Sequence, residues 1–307
     1  MPARLIPPTP WTGRDDPEDG AGALRVHHLA RGGARGVLGF SSDEGVRRNK
    51  GRPGAAEGPA AIRTALANMA APAGAGPFTD FGDVIVEAGD LEAGQAMLGE
   101  RVAAGLEPCE RLVVLGGGHE TAYGSYLGLR ARFPEARIGI VNLDAHLDLR
   151  AVSAAGPSSG TPFAQIHALD PARFDYLCLG AAEEANTAAL FERARDWGVR
   201  IVSDHALIAD PAAADAEIAA LIARSDVLYL TIDIDLMPAE EAPGVSAPAA
   251  RGVPFRTVER LVARILAECA ARATPLSLAD LVELSPPRDI DGRTARRAAL
   301  LARRLVF

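Results

Sequence analysis

The sequence predicts an α/β fold of three layers, with helices on both faces of a largely parallel central sheet, and one domain over residues 1–307. Two observations carry this expectation. Short runs rich in Val, Ile and Leu alternate with longer stretches of helical periodicity, the order that builds a parallel sheet sandwiched by helices. The apolar runs show little polar alternation, which suits strands covered on both sides. No internal repeat or low-complexity linker interrupts the 307 residues.

Taken in order, residues 1–30 carry several prolines and acidic residues and read as an irregular segment. Val37–Phe40 is the first expected strand. Gly58–Met69 and Leu91–Ala104 place apolar residues three and four apart and read as helices. Leu112–Leu115 is a strand followed by a helix over Thr121–Arg132, and Ile138–Leu143 is the next strand. Strands Tyr176–Leu179 and Arg200–Val202 flank a helix over Thr187–Trp197. The helix Ala212–Arg224 precedes strand Val227–Ile234, and the helix Thr257–Ala271 precedes strand Leu276–Leu284. A basic helix, Asp291–Leu305, comes last. The Pro-, Ala- and Gly-rich stretch 235–254 follows a strand directly and reads as an active-site loop.

Composition narrows the class. The formal net charge is −8 and the basic residues are dispersed. That argues against nucleic acid or an anionic membrane as partner, since both need concentrated positive charge. No apolar stretch approaches the roughly 20 residues that span a bilayer, and the first residues lack an apolar signal core. Cys109, Cys178 and Cys269 are far apart and form no C-x-x-C pair, so they read as core fillers. The expectation is a reduced, cytoplasmic, soluble protein.

Ligands in open α/β sheets gather at the carboxyl ends of strands, and three strand ends here are unusually polar. Leu112-Val-Val-Leu-Gly-Gly-Gly-His119-Glu120 puts a glycine run and a histidine after a strand. No Gly-Lys-Ser/Thr follows, so a Walker phosphate loop is excluded; a plain strand-to-helix turn stays open. Ile140-Val-Asn-Leu-Asp144-Ala-His146-Leu-Asp148 sets three metal-ligand residue types at alternate positions. In extended backbone these project to one side, and without a counter-ion they would be costly to bury. Tyr229-Leu-Thr-Ile-Asp233-Ile-Asp235 repeats the pattern with two carboxylates, at a spacing that does not fit an EF-hand. Together they supply two histidines and four aspartates, more than one tetrahedral zinc needs. Imidazole and carboxylate without thiolate favour harder ions such as Mn²⁺. Two divalent cations would balance four carboxylates.

With these motifs in place, the chain resembles the arginase–agmatinase–formimidoylglutamase family from about Phe40 to Leu300. The signatures G-G-x-H, D-A-H-x-D and D-x-D with a Pro/Gly loop stand at Gly116–His119, Asp144–Asp148 and Asp233–Pro248. The resemblance implies an arginase-like domain holding two Mn²⁺ ions around a bridging hydroxide nucleophile. His119 and Asp148 would hold one ion, His146 and Asp235 the other, and Asp144 and Asp233 both. Glu283 would pair with a cationic guanidinium or amidinium, and Asp148, or a water it holds, would return a proton. The family also implies a homo-oligomer.

Several stretches are similar to the formimidoylglutamase branch: 43–52, Gly116–Glu120, Leu149-Arg150, Ser159–Phe163 and 242–248. That branch implies hydrolysis of N-formimidoyl-L-glutamate to L-glutamate and formamide in histidine breakdown. Arg150 stands where arginases carry an asparagine on the substrate carboxylate, and a guanidinium can grip a carboxylate with two hydrogen bonds. Ser159 matches another carboxylate contact, and Arg47, Arg48 and Asn49 are further candidates. Phe163 replaces a histidine that arginases use as a proton shuttle, which turns the expectation away from arginine. The competing readings are a guanidine hydrolase releasing urea and a metal-bound sensor without turnover. The Gly156-Pro-Ser158-Ser-Gly160 match to a serine nucleophile elbow lacks the strand that motif needs.

Overall fold

The computed structural model describes residues 2–307. Its strands are β1 (Ala3–Ile6), β2 (Arg35–Ser41), β3 (Thr79–Val86), β4 (Arg111–Leu115), β5 (Ile138–Leu143), β6 (Asp175–Ala181), β7 (Arg200–Ser203), β8 (Val227–Asp233) and β9 (Leu276–Val282). They form one sheet in the order β1-β3-β2-β4-β9-β8-β5-β6-β7. β1 pairs antiparallel with β3, and every other pair is parallel.

The helices are α1 (Glu44–Arg48), α2 (Gly58–Ala67), α3 (Leu91–Gly105), α4 (Thr121–Arg132), α5 (Pro162–Leu169), α6 (Ala188–Asp196), α7 (Asp204–Ala209), α8 (Asp215–Arg224), α9 (Phe255–Arg272) and α10 (Arg293–Val306). Side chains alternate across each strand, so one strand feeds two cores. Val113 and Leu115 of β4 pack with apolar residues of α2, α8, α9 and α10 on one face. Leu112 and Val114 pack with α3, α4, α5 and α6 on the other. This is the three-layer arrangement that the runs of Val, Ile and Leu predict, and among the described residues no helix is long and apolar enough to cross a membrane.

The ordering of the sheet matters most for function. In space β4, β9, β8 and β5 are consecutive neighbours, although their chain positions are far apart. Because they run parallel, their carboxyl ends open on one edge, and the three motifs meet there with Glu283 between them.

The structure departs from the sequence reading in several places. Residues 1–30 are not irregular throughout: Ala3–Ile6 is a strand, and Val26 and Leu29 are buried in the core. Their partner β3 is also absent from the sequence reading, because Thr-Asp-Phe-Gly-Asp looks like a loop. It pairs as a strand because its carboxylates are answered. Arg63 of α2 reaches both oxygens of Asp80 at 2.9 and 3.0 Å and Asp83 at 2.7 Å, and the Trp11 indole N–H donates to Asp80 at 2.7 Å. Gly82, at φ +82°, passes so close to Ile6 that a Cβ would lie 2.0 Å from its carbonyl oxygen. The short helices α1, α5 and α7 also lay outside the sequence reading, and β8 stops at Asp233 rather than Ile234.

Removing one partner from a buried ion pair costs more than the pair contributes, since it strands a charge. Arg63→Met is expected to lower stability by about 2–4 kcal/mol in urea unfolding. An unchanged midpoint would show that the β3 edge is held by other contacts.

Candidate metal centre

The site is built from strand ends by local turns rather than by extended backbone. Beyond β5, the Asp144 carboxylate accepts the N–H of His146 at 2.7 Å. Beyond β8, Asp233 accepts the N–H of Asp235 at 2.8 Å, and the chain tightens into a 3₁₀ turn over Ile234–Leu236. Each aspartate therefore folds the next ligand residue back toward itself, as Asx turns do. Alternate projection from an extended strand, the expectation from spacing, is replaced by this device. Asp148 follows in the left-handed region at φ +48°, and Glu283 leaves β9 at φ +68°. Strained backbone of this kind persists only where surrounding contacts impose it.

The six side chains converge. His119 Nδ1 lies 3.2 Å from Asp144 Oδ2, 3.0 Å from Asp148 Oδ2 and 3.2 Å from Asp233 Oδ2. His146 Nδ1 lies 3.4 Å from Asp144 Oδ1 and 3.4 Å from Asp235 Oδ2. Asp144 thus has one oxygen in each group, and the groups His119–Asp144–Asp233 and Asp144–His146–Asp235 each bring three ligand atoms together. A third His and Asp cluster, Asp15–His27–His28, lies on the surface. There His28 Nδ1 accepts the N–H of Arg25, which leaves its proton on Nε2 facing Asp15 and no free nitrogen for a metal.

Whether cations fit the buried cluster is answered by its unsatisfied atoms. Burial and Asp144 hold the Asp148 carboxyl above its usual range, and burial with Asp235 and Asp144 does the same for Asp233. Asp144 falls below its usual range despite burial, because imidazoles flank it on both sides. His119 Nδ1 faces three carboxylate oxygens yet makes no hydrogen bond, and Asp235 Oδ1 is likewise buried without a partner. A single N–H could serve only one of three oxygens. Ligands roughly 2.1 Å from one cation at right angles lie about 3 Å apart, close to the spacing seen. Three buried carboxylates, the half-buried Asp148 and two imidazoles fit two divalent ions.

A second tier holds these groups in place. His119 Nε2 lies 3.0 Å from Thr231 Oγ1, an arrangement that puts the ring proton on Nε2 and turns the Nδ1 lone pair to the cluster. Phe163 meets the His119 ring edge to face at 5.4 Å and stacks on Tyr176 at 4.3 Å. It is fully buried and buttresses the ligand. Asn142 donates to Asp144 Oδ2 at 3.0 Å and to Tyr176 Oη at 2.9 Å. Asn186 accepts the N–H of Leu147 and donates to the carbonyls of Ala145 and Ala182. The buried Glu120 accepts from Ser42 Oγ and Gly45 N–H, both at 2.9 Å, tying α1 to the glycine run. Sequence reading missed Thr231 and Asn142, though a signal was there: each is a polar residue inside an otherwise apolar buried strand, two places before a ligand aspartate.

The cluster forms the floor of a cavity of about 210 Å³ whose lining includes His146, Asp148, Asp233, Asp235 and Glu283, with Asn49, Arg150 and Ser159 on its wall. Glu283 accepts the N–H of His119 at 2.9 Å. Burial and the charges of Glu120 and Asp235 hold its carboxyl well above its usual range. Asn49 Nδ2 donates to Ser159 Oγ at 3.2 Å. The 235–254 loop contributes Ser246 and Ala247 to the lining, held by Arg52, which donates to the Ser246 and Val245 carbonyls.

Arg47 and Arg48 do not reach this cavity, contrary to the expectation of carboxylate contacts. Arg47 forks onto Glu44 in solvent. Arg48 is occupied by Glu44, both oxygens of Glu92 and the carbonyls of Gly89 and Pro157. Ser158 of the G-x-S-x-G match is buried in a loop, its N–H donating to Thr161 Oγ1.

Comparison with known proteins follows from this geometry. A family model described as the arginase family matches residues 34–307. The chain is 50% identical to a formimidoylglutamase of Aeromonas hydrophila over 309 residues, covering 96% of both chains. It is 47% identical to one of Rhodococcus jostii, covering 98% of this chain and 96% of that one. Among solved structures it is similar to a Trypanosoma cruzi formiminoglutamase with Mn²⁺, at TM-score 0.80 and 25% identity over 92% of this chain and 97% of that one. The fold is shared with formimidoylglutamase of Bacillus subtilis, at TM-score 0.82 and 19% identity over 96% of this chain and 93% of that one.

Ligating histidines depend on the partner of their other ring nitrogen, whose loss typically weakens metal binding tenfold to a hundredfold. Thr231→Val is expected to weaken Mn²⁺ affinity by about that much in calorimetric titration of metal-stripped protein. Unchanged affinity would mean that Phe163 alone orients the ring.

Proposed function

This chain belongs to the arginase family, and we propose that it hydrolyses N-formimidoyl-L-glutamate to L-glutamate and formamide with two Mn²⁺ ions bound. One observation carries the reading. A single cavity is lined by residues of a carboxylate–imidazole cluster, a buried glutamate and an arginine, groups that match an amidinium and a carboxylate on one substrate. Support also comes from relatives near 50% identity that bear this activity's name along almost their whole length. The same reading places the chain in histidine breakdown in the cytoplasm, as a homo-oligomer, and the free, buried state of Cys109, Cys178 and Cys269 suits a reducing compartment.

The roles divide by residue. Asp144 lies beside both histidines and Asp233 beside His119; these two would be shared between the ions, and His119 with Asp148, and His146 with Asp235, would complete one site each. When bound, paired divalent ions supply an ionised water at neutral pH and stabilise negative charge that develops opposite it. Glu283 takes the cationic amidinium. Its carboxyl has no cation of its own in a pocket of acids, so a bound amidinium replaces repulsion with an ion pair. Arg150, with Asn49 and Ser159, takes a carboxylate and fixes which end of the substrate points inward. The reaction adds water across the C–N bond to the glutamate nitrogen. Starting from the amidinium, the oxygen stays on the formamide carbon, both protons of the water end on the glutamate nitrogen, which leaves as an ammonium, and the C–N bond to glutamate breaks. Asp148, at the edge of the cluster, is the group placed to hand a proton to the leaving nitrogen. Phe163 carries none.

Mn²⁺-loaded protein is expected to release formamide and glutamate from N-formimidoyl-L-glutamate and no urea from agmatine or arginine. Urea from either would keep the site and change the substrate. Asp233→Ala is expected to lose metal and turnover together; full metal content with full turnover would overturn the assignment. Glu283→Gln should keep both metals and lower kcat/KM by at least about a hundredfold, and wild-type turnover would remove Glu283 from substrate binding.

A further inference from the structure

The chain contains 31 arginines and one lysine, Lys50. Its position is unusual in conformation as well as composition. Lys50 follows α1 with φ +63°, a region that side chains other than glycine and asparagine seldom adopt. The turn is closed by its own N–H donating to Arg47 and by Gly51 N–H donating to Val46. This is the hydrogen-bond pattern that ends a helix on a left-handed residue.

Lys50 lines a second cavity, of about 420 Å³, that adjoins the inner one and shares Asn49, Arg150 and Leu190 with it. Arg48, Arg150 and Arg193 line it too. Arg193 donates to the Leu149 carbonyl and lies over the Trp197 ring at 5.6 Å. Among the described residues Lys50, Arg150 and Arg193 have no carboxylate partner, whereas Arg47 and Arg48 are neutralised by Glu44 and Glu92. Gly160 makes room for this arrangement: a Cβ there would lie 2.7 Å from Arg150 Cδ and 3.2 Å from Asn49 Nδ2. Three unanswered cations around one vestibule stand out in a chain of net charge −8. A lone exposed ammonium binds an anion weakly, but three around one concave space, with a rigid fork among them, make a carboxylate subsite.

We propose that Lys50, backed by Arg193, forms a second carboxylate subsite in this outer cavity, receiving the far carboxylate of a dicarboxylate substrate whose near carboxylate meets Arg150. The inference rests on the substrate reading above and deepens it. Arg150, common to both cavities, marks the boundary. The inner cavity selects an amidinium next to one carboxylate, and the outer one selects a chain that carries a second.

Two measurements test it. Steady-state kinetics compare wild type, Lys50→Met and Lys50→Arg on N-formimidoyl-L-glutamate and on N-formimidoyl-L-2-aminobutyrate, which lacks the far carboxylate. Lys50→Met is expected to raise KM for the first about tenfold with kcat within about twofold, to leave the second unchanged, and Lys50→Arg is expected to recover most of the loss. An equal effect on both substrates, or none on either, overturns the subsite. Separately, acetic anhydride finds only one lysine in the chain, and mass spectrometry of its peptide reports the rate of acetylation. Glutarate is expected to slow that rate and butyrate is not; equal rates with both overturn the proposal. Protection by glutarate without turnover of N-formimidoyl-L-glutamate would overturn the substrate reading and keep the subsite. Turnover without protection, with KM unmoved in Lys50→Met, would do the reverse.

Discussion

The structure depends on keeping four aspartates together in the buried edge of a sheet. Like charges at this separation repel, and burial removes the water that would weaken the repulsion. Every feature around them works against that cost. Asp144 and Asp233 spend an oxygen each on the N–H of a neighbouring ligand residue, and Asn142 spends an amide on Asp144. The two histidines present Nδ1 toward the carboxylates rather than away from them. What these contacts leave over is a cluster whose remaining charge calls for cations. The strands that carry it are central and covered on both faces, so the backbone cannot relax outward to separate the acids.

Sheet order makes the assembly possible. β4, β5, β8 and β9 come from distant parts of the chain but lie side by side as β4-β9-β8-β5. Glu283 enters from β9, between the strands that bring His119 and Asp233, and its hydrogen bond to the His119 N–H ties it to the candidate metal cluster. A shift of register in any one strand would move its ligands to the other face. Alternation of Val, Leu and Ile between two cores therefore protects the site as well as the fold.

Much of this was legible in the sequence and some was not, for identifiable reasons. A glycine run ending in His119, and alternating ligand residues at Asp144, His146, Asp148, Asp233 and Asp235, mark the strand ends, and the structure brings these six together. The means of convergence was hidden, because Asx turns and extended strands share the same spacing. β3 was hidden because its carboxylates look solvated until Arg63 is seen to meet them. Arg47 and Arg48 drew attention as free cations beside a motif, but their partners differ in visibility. Glu44 lies within the same short helix, whereas Glu92 is remote in sequence and reaches Arg48 only through the fold. Charge pairing across the fold is the information that local pattern lacks.

The same pairing explains how one site can hold opposite demands. Acids are gathered at the bottom of the cavity and cations at its mouth, with Arg150 between them. On the proposed reading the bound ions balance the aspartates, so Glu283 is the acid left at the floor: it attracts an amidinium, while the cations at the mouth attract carboxylates. Orientation follows from this polarity before any single hydrogen bond forms. The floor is built from buried, mutually braced residues and has little freedom to change without losing its ions. The mouth presents the exposed loop residues Lys50 and Arg150 beside the half-buried Arg193 of α6, so its loop part can change charge and reach without disturbing the cluster beneath. On the proposed reading, substrate choice is therefore set where the fold is least constrained, on a floor fixed by electrostatics.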